Sequence, residues 1–290
     1  MIKKISEIML NNFICVDVCD GILKVERMIT EKKLDMALVF EGGTLVGLLT
    51  YKDLLKSHPN RIVADAMNTN IIFIDPNSSI WHAKETFDKQ DTSVLVVMDN
   101  YMPMGFITDN HVYVEIGRYI DSLTNLYKTN YIFYKADEII RTKTTLGIIF
   151  IDVNNFGYID KHYGHSIGDV ILKEISYLLK NSIPKDTYIC RFGGDEFVLV
   201  TPYEKKNCTN LARELSALIA GHKFIKDIRL TISCGIVSFD SNNNRSENYF
   251  SHITNLINMA SLASTKAKKE NAEISVATNL NQLEMTLDLA

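Results

Sequence analysis

The stretch that decides the fold is YICRFGGDEFVLVTP, residues 188–202. Two apolar runs, 188–190 and 197–200, flank a tight turn at Gly193 and Gly194, the pattern of a hairpin whose backbone must take φ > 0 or lie against a ligand. Asp195 and Glu196 follow at once. Neighbouring strand residues face opposite sides of a sheet, so one of the two is expected to point at a bound ligand and the other elsewhere. Glycines beside carboxylates suit a metal-bound phosphate; the plain alternative is a hairpin with an acidic, soluble turn.

The next informative run outward is LGIIFIDV, residues 146–153, nearly continuous in apolar and β-branched residues as in a strand buried on both faces. It closes on Asp152, and a carboxylate kept from water needs a cation or hydrogen-bond donors. Asp152 and Asp195 are therefore expected to meet across adjacent strands and hold Mg2+ (or Mn2+) through hard oxygen ligands, leaving room for substrate phosphates. Two such ions about 3.5–4 Å apart would activate an attacking hydroxyl and steady a leaving pyrophosphate.

The whole chain, 290 residues with 46% hydrophobic and 23% charged, reads as a soluble globular protein long enough for two domains. A formal net charge of −4 argues against nucleic acid or a membrane surface as partner, and small anionic ligands would need a local positive site. Five cysteines, an odd number with no CxxC pair, imply reduced thiols and a cytoplasmic setting. Cys15 and Cys19 could be half a metal site, but no nearby Cys or His pair completes it. The N-terminal MIKKISEIMLNN has too short an apolar core for a signal peptide, and no run approaches the ~18 apolar residues of a membrane span.

Residues 1–115 contain an internal repeat at an offset of 58, with copies at 1–58 and 59–115. ISEIM at 5–9 falls on VADAM at 63–67, and GLLTYKD at 47–53 on GFITDNH at 105–111. Each copy reads as a short strand, an amphipathic helix (22–31, then 80–89), two strands around a turn and a closing helix. Periods of this length mark units that bury their faces on one another. A helix over about 111–126, with apolar residues near helical spacing, is expected to join the two halves within a linker at 109–128.

The motif RFGGDEF, with IDVNNFGYIDKHYGHSIGD at 151–169, LTISCGIVSF at 230–239 and ASLASTKAKKENAEISV at 260–276, resembles the GGDEF family of diguanylate cyclases. The repeat, with its G-x-x-T-x-x-D run, is similar to a tandem pair of CBS domains. The resemblance implies an α/β (α+β) chain: a CBS pair, then a GGDEF domain over 121–280 with a mainly antiparallel sheet flanked by helices, nucleotide-cyclase-like, and a tail at 281–290. It implies a cyclase that condenses two GTP into cyclic di-GMP as a homodimer, under CBS control. The alternatives are a catalytically weak or inactive nucleotide sensor and a cyclase with altered base preference.

The site residues carried over are Asp195 and Glu196 for catalysis, and Asp152, the Val153 carbonyl, Asp195 and Glu196 for the metal. Substrate would meet Asn155, Phe156, Gly157, Asp160, His165, Asp169, Gly193, Gly194 and Lys268. Residues 154–158 are expected to be a loop cradling phosphates through backbone N–H groups. Thr50 and Asp53 would hold an adenine nucleotide in the first CBS copy; the second copy has His111 in place of the aspartate. For Thr50 and Asp53 the alternative is a helix cap, for Asp169 a capping box from Ser166, and for Lys268 a cation complementing a helix C-terminus.

The chain also departs from the family pattern. Gly157 stands for a lysine, Asp160 for an asparagine and Ala272 for an arginine. Pro184 and Thr187 stand where the feedback-inhibitory arginine and aspartate would be. An ionised Asp160 can only accept hydrogen bonds, so base affinity or preference should shift.

Overall fold

The computed structural model describes residues 2–143, 145–240 and 249–277. The expected tail at 281–290 and the polar loop read at 241–247 lie outside the described residues. The chain divides into two compact units at Gly117/Arg118.

The first unit repeats one motif. β1 (Phe13–Asp17), α1 (Ile22–Lys32), β2 (Met36–Glu41), β3 (Thr44–Thr50) and α2 (Tyr51–Lys56) form the first copy. β4 (Phe73–Ile74), α3 (Ile80–Lys89), β5 (Val94–Asp99), β6 (Met102–Thr108) and α4 (Asp109–Gly117) form the second. Each has a three-stranded sheet with one parallel and one antiparallel pairing. Met36 pairs with Thr50 and Val94 with Thr108, and both sheets bulge at the same place, after Val39 and after Val97.

The copies exchange their leading segments. Leu10 and Phe106 trade backbone hydrogen bonds at 2.8 and 2.9 Å, as do Asn68 and Leu48 at 2.8 and 3.0 Å. Gly47 and Gly105 permit this approach: a methyl group at Gly47 would stand 2.5 Å from Met67 Sδ, and one at Gly105 would stand 2.4 Å from the Leu10 carbonyl oxygen. The glycine that opens each G-x-x-T run is thus accounted for by packing.

The expected linker helix is corrected. α4 ends at Gly117, a poor helix former, and the chain then reverses through a turn. Asp121 makes that turn by accepting from the Thr124 N–H and hydroxyl, and Asn125 follows at φ 55°. The apolar spacing over 111–126 merges two segments: Val112 and Ile116 are buried on α4, Leu126 enters the core of the second unit, and Val114 is exposed.

The second unit comprises α5 (Thr129–Thr142), β7 (Thr145–Val153), α6 (Phe156–Tyr163), α7 (His165–Ser182), β8 (Tyr188–Gly193) and β9 (Glu196–Thr201). α8 (Lys205–Gly221), β10 (Ile232–Asp240), α9 (Tyr249–Lys269) and β11 (Ile274–Val276) complete it. The sheet order is β11-β10-β7-β9-β8, antiparallel except for β10 with β11.

β7 is central and, as its apolar run implied, buried on both faces. Ile149, Ile151 and Val153 pack with α6, α7 and α8 on one side, and Ile148 and Phe150 with α5 and α9 on the other. At Gly235 of β10, α9 lies directly on the sheet: a methyl group there would stand 1.8 Å from the Ala260 carbonyl oxygen and 2.3 Å from the Ser264 nitrogen. One helical turn beyond Ser264, on the same face, comes Lys268.

Candidate functional site

The register of three strands builds the site. Ser233 of β10 pairs with Asp152 of β7, and Asp152 with Glu196 of β9. Directly opposed residues of antiparallel strands share a face, so these three side chains form a row that continues the face covered by α5 and α9. Asp195, in the turn, reaches β7 through its own carbonyl, which accepts from the Val153 N–H at 3.3 Å.

Asp195 and Glu196 both lie within electrostatic reach of Asp152. Burial, then the charge of Asp152, raises the Asp195 carboxyl above its ordinary value, with Asp160 adding to the effect, while Lys268 and Asp195's own backbone oppose it. Glu196 is raised by burial and by the charges of Asp152 and Asp195, again opposed by Lys268. Burial and like charge together thus disfavour ionisation of both carboxyls.

The turn that carries these acids is braced by a residue absent from the sequence-derived set. Gly194 takes φ 48°, and its carbonyl accepts from Arg191 Nε at 2.9 Å. Arg191 Nη1 also donates to Asp121 Oδ1 at 2.9 Å, which ties the hairpin to the turn that opens the unit. Burial alone would raise the Asp121 carboxyl, but hydrogen bonds from Thr124 and Arg191 hold it below its ordinary value. A cation two residues before the turn glycines was the available signal; its acidic partner lies 70 residues away and left none.

Lys268 Nζ donates to Asp152 Oδ1. The side chains are 39% and 19% exposed respectively. Its sequence position suggested phosphate binding or a helix-dipole role; the structure seats it on a metal-candidate carboxylate. Beside it lies a cavity of about 330 Å³, lined by Asn154, Asn155, Ser233, Lys268, Ala272 and Glu273 among others. Lys268 is the one cation among those lining residues.

The loop expected over 154–158 is shorter: Asn155 takes a left-handed conformation and α6 begins at Phe156. Phe156 is buried, and Gly157 is exposed with open space around it. At the junction of α6 and α7, His165 Nδ1 lies 3.0 Å from Asp160 Oδ2. Asp169 stands one turn along α7 from His165 and is exposed. α7 starts at His165, and its N-cap, Gly164, makes no side-chain cap bond, so the capping box from Ser166 does not form. Gly193 and Gly194 are exposed at the hairpin tip.

Among the described residues no three acid, histidine or cysteine side chains close around a single point. The donor chemistry nonetheless fits a divalent cation. Asp152 and Glu196 are register partners where β7 and β9 meet the turn, Asp195 precedes Glu196, and burial, then like charge, raises the Asp195 and Glu196 carboxyls. The Cys190, Cys208 and Cys234 thiols are buried and pushed up, the last two to about 12, so they are protonated core groups. Cys15 and Cys19 are exposed.

In the first unit, Thr50 and Asp53 serve each other. Thr50 Oγ1 donates to Asp53 Oδ2 at 2.6 Å, the Thr50 N–H donates to the same oxygen at 2.9 Å, and the Asp53 N–H donates to Thr50 Oγ1 at 3.3 Å. This is a complete capping box on α2.

Comparison with known proteins agrees with this architecture. A family model described as "Diguanylate cyclase, GGDEF domain" matches residues 118–273, and CBS domain models match 5–59 and 63–117. The chain is 33% identical over 112 residues to an uncharacterized membrane protein of Staphylococcus epidermidis, covering 37% of this chain and 31% of that protein. It is 32% identical over 105 residues to diguanylate cyclase DosC of Escherichia coli, covering 34% and 23%. It is 26% identical over 155 residues to diguanylate cyclase A of Treponema denticola, covering 50% and 42%. The chain thus matches well under half the length of these relatives.

Among solved structures, the coiled coil and GGDEF domain of DgcB from Caulobacter crescentus, in complex with c-di-GMP, aligns with a TM-score of 0.50 at 16% identity. That alignment covers 57% of this chain and 88% of the other, a likeness of fold alone. No helix among the described residues is long and apolar enough to cross a membrane.

Proposed function

This chain belongs to the GGDEF family, with tandem CBS domains ahead of the GGDEF domain, and we propose that it condenses two molecules of GTP into cyclic di-GMP with release of two pyrophosphates. The observation that supports this most is the row in which Asp152 and Glu196 stand opposite each other with Asp195 beside them. Asp152, Asp195, Glu196 and the Val153 carbonyl would hold Mg2+ or Mn2+. When bound, such an ion neutralises phosphate charge and makes a hydroxyl easier to deprotonate.

The chain's own groups do the rest. Asp195 takes the proton of the 3′-hydroxyl of one GTP, whose oxygen attacks the α-phosphorus of the other. The new P–O bond forms as the bond to the β-phosphate oxygen breaks and pyrophosphate leaves. The Asn155 turn and the first N–H groups of α6 would receive phosphate oxygens, and Lys268 the terminal phosphates. Asp160 and Asp169 would accept from base N–H groups, with His165 steadying Asp160. The product is twofold symmetric and each protomer would present one GTP, so two protomers must meet for each turnover. The CBS pair would bias how often they do. An adenine nucleotide at Thr50 and Asp53 would first have to open the capping box.

A second reading, a nucleotide sensor with little turnover, is favoured by one observation: Ala272 and Glu273 leave Lys268 as the one cation among the described residues lining its cavity. Incubating the purified protein with Mg2+ and GTP, ATP or both, and separating the products, decides between them. A cyclic dinucleotide made from GTP is expected. No cyclic dinucleotide from any mixture would select the sensor, and one made mainly from ATP would identify Asp160 as a base-specificity change.

A further inference from the structure

The ion pair between Lys268 and Asp152 joins two groups that the proposed reaction uses separately, one for phosphate and one for metal. Gly235 lets α9 settle directly on β10, and Lys268 then reaches across Ser233 to its register partner Asp152. The ammonium sits on a carboxylate oxygen that a divalent ion would need. A divalent ion cannot share that oxygen without meeting a like charge at contact distance. The cavity on the other side of Lys268 offers that ammonium a second place, if an anion fills it. Among its described lining residues there is no other cation, Ala272 contributing only a methyl group.

We infer that Lys268 is a resident counter-ion which blocks metal binding in the empty site and is drawn off Asp152 by the triphosphate, so that metal and nucleotide load together. The inference rests on Asp152 being metal-facing, as the proposed function has it. Its consequence is an obligate order of affinities: metal alone binds weakly, and the phosphates lift the block. Coupling between two ligands is reciprocal, so removing the ammonium must strengthen metal binding alone and weaken the mutual enhancement. An arrangement in which Lys268 merely holds Asp152 in place has the opposite consequence, because a freed carboxylate would then bind metal less well.

The test is titration of the 290-residue chain with Mn2+, followed by electron paramagnetic resonance of the free ion, without nucleotide and with a non-hydrolysable GTP analogue. Lys268→Gln should bind Mn2+ alone about 5–150-fold more tightly than the parent chain, the usual span of coupling between sites. Lys268→Arg, which keeps the charge, should bind Mn2+ as weakly as the parent. Circular dichroism of both variants confirms that the fold persists. Equal or weaker Mn2+ binding by Lys268→Gln overturns the exchange while leaving the catalytic reading intact. Binding that is immeasurable in parent and variant alike, with and without nucleotide, overturns both.

Discussion

Two sets of residues were singled out as ligand contacts by the same kind of reasoning, and the fold treats them in opposite ways. Thr50 and Asp53, in the first unit, satisfy one another through three hydrogen bonds in a capping box. Asp152, Asp195 and Glu196, in the second, lie close enough that burial and like charge raise two of them, and among the described residues the one cation in hydrogen-bond contact with them comes from α9. A polar group with a complete set of local partners is explained by the fold. A cluster of carboxyls raised by burial and like charge is left with a cost that local partners do not remove.

The sharpest way to break that comparison is to remove one acid. Asp195→Asn should lower cyclic dinucleotide formation by more than the 10–100-fold typical of losing a mere outer partner of a metal site. Product separation with Mg2+ and GTP reads it. A variant retaining near-parental rates would place Asp195 with Thr50, as structure rather than site.

Next in size are the glycines that allow close approach in each unit. At Gly235 an added methyl group meets the backbone of α9, which cannot yield without the helix moving. At Gly47 it meets the thioether end of Met67, which can turn aside. Overpacking costs about 1–3 kcal/mol, so Gly235→Ala should fall at or above the top of that range and Gly47→Ala near the bottom. Chemical denaturation of the two variants compares them directly; equal losses would mean that α9 is not clamped to β10 as described.

The same contrast explains what the sequence could disclose. A repeat announces itself because register follows from it: the 58-residue offset reproduces both pairings and both bulges. The hairpin and β7 were legible because strand alternation and turn glycines act over a few residues. Helical spacing over 111–126 misled because the apolar phase of α4 runs on into Leu126, while the break rests on Gly117 and on the hydrogen bonds of Asp121. Lys268 on Asp152 spans 116 residues, and Arg191 on Asp121 spans 70. Such pairings depend on how helices settle on a sheet, and no local pattern encodes them.

In the first unit, removing the cap should be a plain stability change. Thr50→Ala is expected to cost about 0.5–2 kcal/mol in denaturation, with the same loss whether or not an adenine nucleotide is present. If the nucleotide stabilises the parent chain and Thr50→Ala abolishes that response, the capping box is the resting form of a binding site and the two units are more alike than their geometry shows.

The smallest effect sets two acids of the second unit against each other. Asp195→Asn removes a half-exposed carboxylate raised by burial and then by Asp152, and should stabilise the metal-free protein by less than about 1 kcal/mol, since solvent reaches the group and screens its charge. Asp121→Asn removes a carboxylate held below its ordinary value by Thr124 and Arg191 and should cost about 1 kcal/mol. Both differences vanish in acid but with opposite sign. A lowered folded pKa stabilises above the ordinary 3.8 and is lost as pH falls through the folded value, so the Asp121→Asn deficit closes there. A raised folded pKa imposes a penalty that develops as pH climbs from 3.8 through the folded value, so the Asp195→Asn advantage opens over that window and is complete at neutral pH. Thermal denaturation of both variants between pH 3 and 7 without metal, set against the parent chain, measures each. An Asp195→Asn protein less stable than its parent at neutral pH would show that the carboxylate has partners of its own.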